Sequence, residues 1–229
     1  MNILLVNGSP RPSGSASGSI LETIRGKLGP EHRYTEVNAR KSPGAAAACL
    51  DQDAIVIAFP LYVDSLPSRL LEWLLSFEAL AAAPDAARSR RETAVFAICN
   101  CGFHEGAQTR TALRIVRNFA LKSGFSWGGG LGIGTGGMIN GMAKVPEEAW
   151  IKREVSRGIA WIAGNVADWG ASPGQARLAP TRDFDGSVRF VSHAFPRFAY
   201  IMVANSGWRQ EARANGLRVR ELKARPIAR

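Results

Sequence analysis

Ser9, Arg11, Ser15 and Ser17 fall within one short stretch, GSPRPSGSAS, together with Gly8 and Gly14. Hydroxyl donors, glycine backbone that lets a ligand come close, and one planar guanidinium are what a phosphate monoester requires. The apolar run MNILLV enters this stretch and the amphipathic ILETIRGKL leaves it. If the first is a strand and the second a helix, the helix's unpaired N–H groups and positive dipole end face the same point. A helix-capping loop has a similar composition. Position in the fold separates the two readings. Two further stretches follow apolar runs in the same way: FPLYVDSLP from Phe59 and NCGFHEGAQT from Asn100.

The elements that would position these loops follow from hydropathy patterning. Asn2–Val6, Asp53–Phe59 and Thr93–Asn100 are continuous apolar runs, as expected of parallel strands covered on both faces. Arg33–Val37 reads as an edge strand and Phe125–Ile133 as a glycine-dense one. Helical spacing marks Ser19–Leu28, Ser68–Leu80 (apolar side Leu70, Leu71, Leu74, Leu75 and Phe77), Ala107–Ser123 (Leu113, Val116, Phe119 and Ala120) and Glu147–Trp169. The last carries Trp150, Ile151, Val155, Ile159, Ile162 and Val166, and Ala45–Leu50 adds a short helix. Strands alternating with helices predict an α/β fold, a doubly wound five-stranded parallel sheet of order 2-1-3-4-5 with helices on both faces. Ligands on such sheets sit beyond the carboxyl ends of the strands, at the switch between the first and third. The three unusual loops all fall there, which favours the phosphate reading.

Domain organisation is expected as 1–169 for this unit, 170–194 for a Gly- and Pro-rich linker, and 195–229 for a basic helical extension. The extension is read as helices around Phe195–Ala204 and Trp208–Asn215. The net charge is +10, and half of it lies between Arg209 and Arg229, where seven cations face Glu211 and Glu221. Those carboxylates interrupt the run, and no aromatic is interleaved beyond Trp208, so a solvated face is favoured over nucleic-acid binding. No apolar run reaches the ~18–20 residues needed to span a bilayer. No secretory pattern is visible at Met1, and a cytoplasmic location is expected.

Several chemistries lack their residues. Cys49, Cys99 and Cys101 are too few for a disulfide framework or cysteine-rich metal site. Cys101 and His104 supply two ligands where zinc takes four, so no metal is expected. His32, His104, His193 and the scattered carboxylates suggest no catalytic triad. The Walker pattern is absent. Gly132–Gly137 spells GxGxxG but opens no adjacent helix, and reads as a loop that a ligand or another backbone approaches.

The G-S-P-R loop, FPLYVDSLP and NCGFHEGAQT in register resemble the flavodoxin-like NADPH-dependent FMN reductase and NAD(P)H:quinone reductase superfamily, over roughly residues 1–165. The resemblance implies that Ser9, Arg11, Ser15 and Ser17 hold the FMN phosphate. It implies that Pro60, Leu61, Tyr62 and Val63 lie along the isoalloxazine, with Asp64 and Ser65 beside it. Asn100, Cys101, Gly102 and Phe103 would border the ring's other edge, with Glu105 and Gln108 nearby. His104 is either an exposed imidazole or a contact to substrate. The implied activity passes hydride from NADPH or NADH to FMN and on to a small-molecule electron acceptor such as a quinone, a nitroaromatic or a flavin. A homodimer or higher homo-oligomer is implied as well. An electron carrier that docks a protein partner and has no nicotinamide site is the alternative.

Overall fold

The structure, a computed structural model, describes residues 1–11, 13–40, 51–82, 92–171 and 186–223. The helix expected at Ala45–Leu50, Cys49, Pro12, most of the expected linker and the last tail cations, Arg225 and Arg229, lie outside these residues.

The strands are β1 (Asn2–Asn7), β2 (Arg33–Asn38), β3 (Ala54–Pro60), β4 (Ala94–Asn100), β5 (Ser126–Ile133) and β6 (Val188–Val191). They form one sheet in the order β2-β1-β3-β4-β5-β6. Every neighbouring pair is parallel. The expected order therefore holds for the first five strands, and β6 extends the sheet. Its four residues lie inside the segment read as a linker. They pair with Gly130–Ile133, and Trp127 Nε1 donates to Ser187 Oγ at 3.1 Å just before the strand begins. So short a run is set by its partner's backbone and carries little period of its own.

The helices are α1 (Ala16–Leu28), α2 (Ser68–Ala81), α3 (Arg110–Lys122), α4 (Arg153–Ala171) and α5 (Arg197–Ala214). Alternation along each strand splits the core into two layers. Leu4, Val6, Ile57 and Val95 pack with Leu70, Trp73, Phe77, Leu113 and Val116 of α2 and α3. Ile3, Leu5, Val56 and Ile98 pack with Ile20, Ile24, Ile159, Ile162 and Val166 of α1 and α4. These strands are thus buried on both faces, as their unbroken apolar sequences require.

Three helical expectations need correction. The buried face of α2 is Leu70, Trp73, Leu74 and Phe77, while Leu71 and Leu75 are exposed. Trp73 stacks on Phe77 at 5.1 Å and takes the place that Leu71 and Leu75 were expected to share. The long helix starts at Arg153 and not Glu147. The Ile151 carbonyl accepts from Ala194 N at 2.9 Å instead of from the next helical turn, and Trp150 is exposed. In the separate compact unit from Phe195, α5 runs as one helix through Ser206 and Gly207, joining what was read as two helical stretches.

Candidate functional site

Asn7, at the end of β1, organises the first loop. Its Oδ1 accepts from Ser9 N at 3.0 Å and its Nδ2 donates to Ser15 Oγ at 3.3 Å. Ser15 is the N-cap of α1, with extended backbone and its Oγ accepting from Gly18 N at 3.0 Å. Both acceptor positions of the Ser15 hydroxyl are thereby filled, so its proton remains for a ligand. Ser9 Oγ accepts from Arg11 N at 3.2 Å and likewise keeps its O–H. The N–H groups of Ala16 and Ser17 precede the first intrahelical bond of α1 and have no partner within it. Gly8 is required by packing, since a Cβ there would lie 2.7 Å from Leu70 Cδ2 and 2.8 Å from Phe59 Cβ.

Ser17 does something else with its hydroxyl. It is buried and donates to Asn100 Oδ1 at 3.1 Å, tying the first loop to the end of β4. Its remaining offer to a ligand is the backbone N–H. The loop after β3 turns sharply at Tyr62–Ser65, with Tyr62 N donating to Ser65 O at 3.0 Å and Ser65 N to Tyr62 O at 2.9 Å. Val63 and Asp64, at its centre, have φ of 49° and 55°. Positive φ at both central residues is the type I′ pattern, and a β-branched residue there is strained. Such strain persists only where surroundings impose it, commonly around binding sites.

The three loops meet at a cleft of about 270 Å³. Ser9, Arg11, Ser15, Ala16 and Ser17 line one part, and Pro60, Leu61, Tyr62, Asn100 and Gly102 another. Gly136, Gly137 and Asn140 complete it, and none of these residues is acidic. The Arg11 side chain is exposed and has no ion-pair partner among the described residues. One part of the cleft is therefore rich in donors and positive potential, and the other has an apolar wall. A Cβ built on Gly102 or Gly137 meets no atom within 4 Å, so open space lies against backbone there.

Three residues expected at the site do not line this cleft. Val63 is 99% exposed at the tip of its turn. Phe103 is half exposed. Cys101 is buried with Sγ 3.9 Å from Phe103 O and 3.7 Å from Glu105 O. Burial pushes its thiol pKa up, and that of Cys99 further, so neither is a ready nucleophile. His104 also stands outside the lining, its Nδ1 3.9 Å from Glu105 Oε1.

Asn7, Ala16, Gly136, Gly137 and Asn140 were missed. The glycines belong to the GxGxxG run, which signalled a close approach without saying to what. Gly136 N donates to Cys101 O at 2.7 Å, drawing this loop across the end of β4. Asn140 Nδ2 donates to Gly14 O at 2.8 Å and its Oδ1 accepts from Ser19 Oγ at 3.0 Å. No motif marks it.

No family model matches the chain, and no curated protein does. Solved structures do. An azoreductase from Bacillus anthracis str. Sterne has a TM-score of 0.51 at 14% identity, covering 73% of this chain and 99% of that one. An NADPH-quinone reductase from P. pentosaceus gives 0.53 at 15%, over 72% of this chain and 98% of its own. An NADH:FMN oxidoreductase in its apo form gives 0.52 at 11%, over 79% and 91%. Together with the strand order, these likenesses decide the architecture. The fold is flavodoxin-like. At such identities they speak for the fold alone. On a flavodoxin-like sheet the β1/β3 switch point is where ligands bind, and the cleft described above lies there.

The residues present fit FMN. Hydroxyl protons, N–H groups with no partner within the helix and a guanidinium without an ion-pair partner among the described residues suit a phosphate. The Pro60–Leu61–Tyr62 wall suits a flat apolar ring, and the open backbone at Gly102 and Gly137 suits its polar edge.

Proposed function

We propose that this chain is an FMN-dependent NAD(P)H oxidoreductase that serves a small-molecule acceptor of the quinone, nitroaromatic or flavin type. The observation that carries the reading is the convergence of the three loops on one acid-free cleft, donor-rich in one part and apolar in the other. The names of the structural neighbours, an azoreductase, a quinone reductase and an FMN oxidoreductase, point the same way.

Arg11, the hydroxyls of Ser9 and Ser15, and the N–H groups of Ala16 and Ser17 hold the phosphate. Pro60, Leu61 and Tyr62 give the ring its wall. Asn100, Gly102, Gly136 and Gly137 border its edge, where backbone groups set the electrostatics. Cys101 supports the Gly136 backbone through its carbonyl, and Val63 sits at the rim beside Asp64. When bound, FMN supplies the hydride chemistry, and no protein nucleophile or acid–base pair is called for. The protein's part is to fix position, shield one region from water and leave another open to nicotinamide and acceptor in turn.

The test is anaerobic reduction. Protein loaded with FMN is expected to lose its yellow absorbance on adding NADPH or NADH and to recover it on adding a benzoquinone. Flavin that binds and is not bleached by either nucleotide identifies an electron carrier instead. A chain that neither retains FMN nor quenches its fluorescence overturns the reading.

A further inference from the structure

A second cavity, of about 540 Å³, lies between α1, the turns that follow β5 and the start of α4. It is twice the size of the cleft assigned to FMN and within the ~300–1,000 Å³ range of small-molecule sites. Ile20, Ile139, Val145, Val155 and Ile159 make much of its wall. Lys152, Ser156 and His193 are its polar members of interest, and the proposed FMN chemistry uses none of them.

Each of the three holds unused hydrogen-bonding capacity. Lys152 Nζ donates to Val145 O at 2.9 Å and has no carboxylate partner among the described residues, which leaves two N–H donors. Ser156 is more than nine-tenths buried, and its Oγ, without a hydrogen-bond partner among the described residues, lies beneath the cavity wall. His193 is 3% exposed. Its backbone N donates to Thr135 Oγ1 at 3.0 Å, and its Nδ1 lies 2.8 Å from the same oxygen. Thr135 gives its single proton to Gly134 O, so it accepts from Nδ1–H and leaves Nε2 with a lone pair. Lys152, Val155 and Ser156 sit at the N-terminus of α4, whose dipole end favours an anion.

We propose that this cavity binds a small carboxylate with a hydrocarbon body. The aliphatic wall covers the body. The carboxylate accepts from Lys152 Nζ, and one proton taken from solvent by His193 Nε2 supplies a second donor. Among the described residues, few other charges line the cavity that His193 faces. From α1 comes Glu22, and from the turns before α4 come Lys152 and Glu147. Glu147 is already paired, its Oε2 2.7 Å from Lys27 Nζ. The α4 side contributes Val155, Ser156 and Ile159, which carry no charge.

The test uses the full chain and octanoate, followed by calorimetry. Octanoate is expected to bind at least ~10-fold more tightly than octanamide, the loss expected for one charge-assisted hydrogen bond. Lys152→Met is expected to weaken octanoate by a similar factor. Binding is expected to be tighter near pH 6 than near pH 8, and His193→Gln to flatten that dependence. Should His193→Gln fail to fold, Ile159→Trp fills the cavity from a different side and is expected to abolish binding in a folded protein. Arg11→Ala, in the other cleft, is expected to leave octanoate unaffected. Equal affinity for octanoate and octanamide, no binding at millimolar octanoate, or loss of binding in Arg11→Ala would each overturn the proposal.

Discussion

Removing Arg11 isolates the electrostatic part of phosphate recognition. The side chain is exposed, has no ion-pair partner among the described residues and lies outside the core, so Arg11→Ala leaves the fold intact. Two unit charges ~4 Å apart in water attract by about 1 kcal/mol. A phosphate monoester near neutral pH carries roughly −1.5 to −2, which raises this to about 1.5–2 kcal/mol. Screening at physiological ionic strength, with a Debye length of ~8 Å, leaves about 1 kcal/mol, or a five- to sixfold change in affinity. At 1 M salt the Debye length is ~3 Å and about 0.5 kcal/mol survives, close to twofold. The assay is quenching of flavin fluorescence, with FMN and riboflavin titrated in parallel at both salt concentrations. Arg11→Ala should weaken FMN about fivefold at low salt and about twofold at high salt, and should leave riboflavin unchanged. A loss of equal size for riboflavin, or one indifferent to salt, would refute the assignment of Arg11 to the phosphate.

Ser15 separates capping from anion binding. Ser15→Asp keeps an N-cap acceptor for Gly18 N and should hold stability within about 0.5 kcal/mol, yet prevent FMN retention by placing a negative charge against the phosphate. Ser15→Ala should lower stability by ~1 kcal/mol, a fall of roughly 2–4 °C in melting temperature for a chain of this size. Val63 carries left-handed strain with no packing to lose, so Val63→Gly should raise stability. Relief of ~1–2 kcal/mol less the ~0.5–1 kcal/mol entropy of glycine leaves a gain of up to ~1.5 kcal/mol, measured by urea unfolding. Burial, and secondarily the Lys152 charge, hold the His193 pKa below its usual 6.5. Between those two values the unfolded chain binds the proton and the native chain refuses it, so stability is complete above 6.5 and declines as pH falls below it. The wild-type urea midpoint should therefore drop more between pH 7 and pH 5 than that of His193→Gln, and equal slopes would show that His193 is not the titrating group.

The sequence by itself determined the sheet's inner strands, because a strand covered on both faces must be apolar at every position, as AIVIAF and AVFAIC are. It determined the donor-rich turn after β1, because Ser15 caps α1 through a contact three residues away, and such local bonds are written in local sequence. It also marked the loops after β3 and β4 by their composition. Tertiary structure decided what depends on residues far apart in the chain. Ser17 reads as one more phosphate serine until Asn100, 83 positions on, takes its proton. Asn140 belongs to no motif and reaches the cleft only because turns after β5 carry it to Gly14. β6 exists because β5 offers an unpaired edge, and α4 starts late because Ala194 claims the Ile151 carbonyl. Helical spacing counted Leu71 and Leu75 on the apolar side of α2 and left Trp73 out, and only packing against Phe77 shows that Trp73 is the buried one. The physical reason is common to all of these. Periodicity and capping are short-range effects that a chain carries in its own order, whereas the partner of a particular hydroxyl, carbonyl or ring is chosen by whichever distant segment the fold brings alongside.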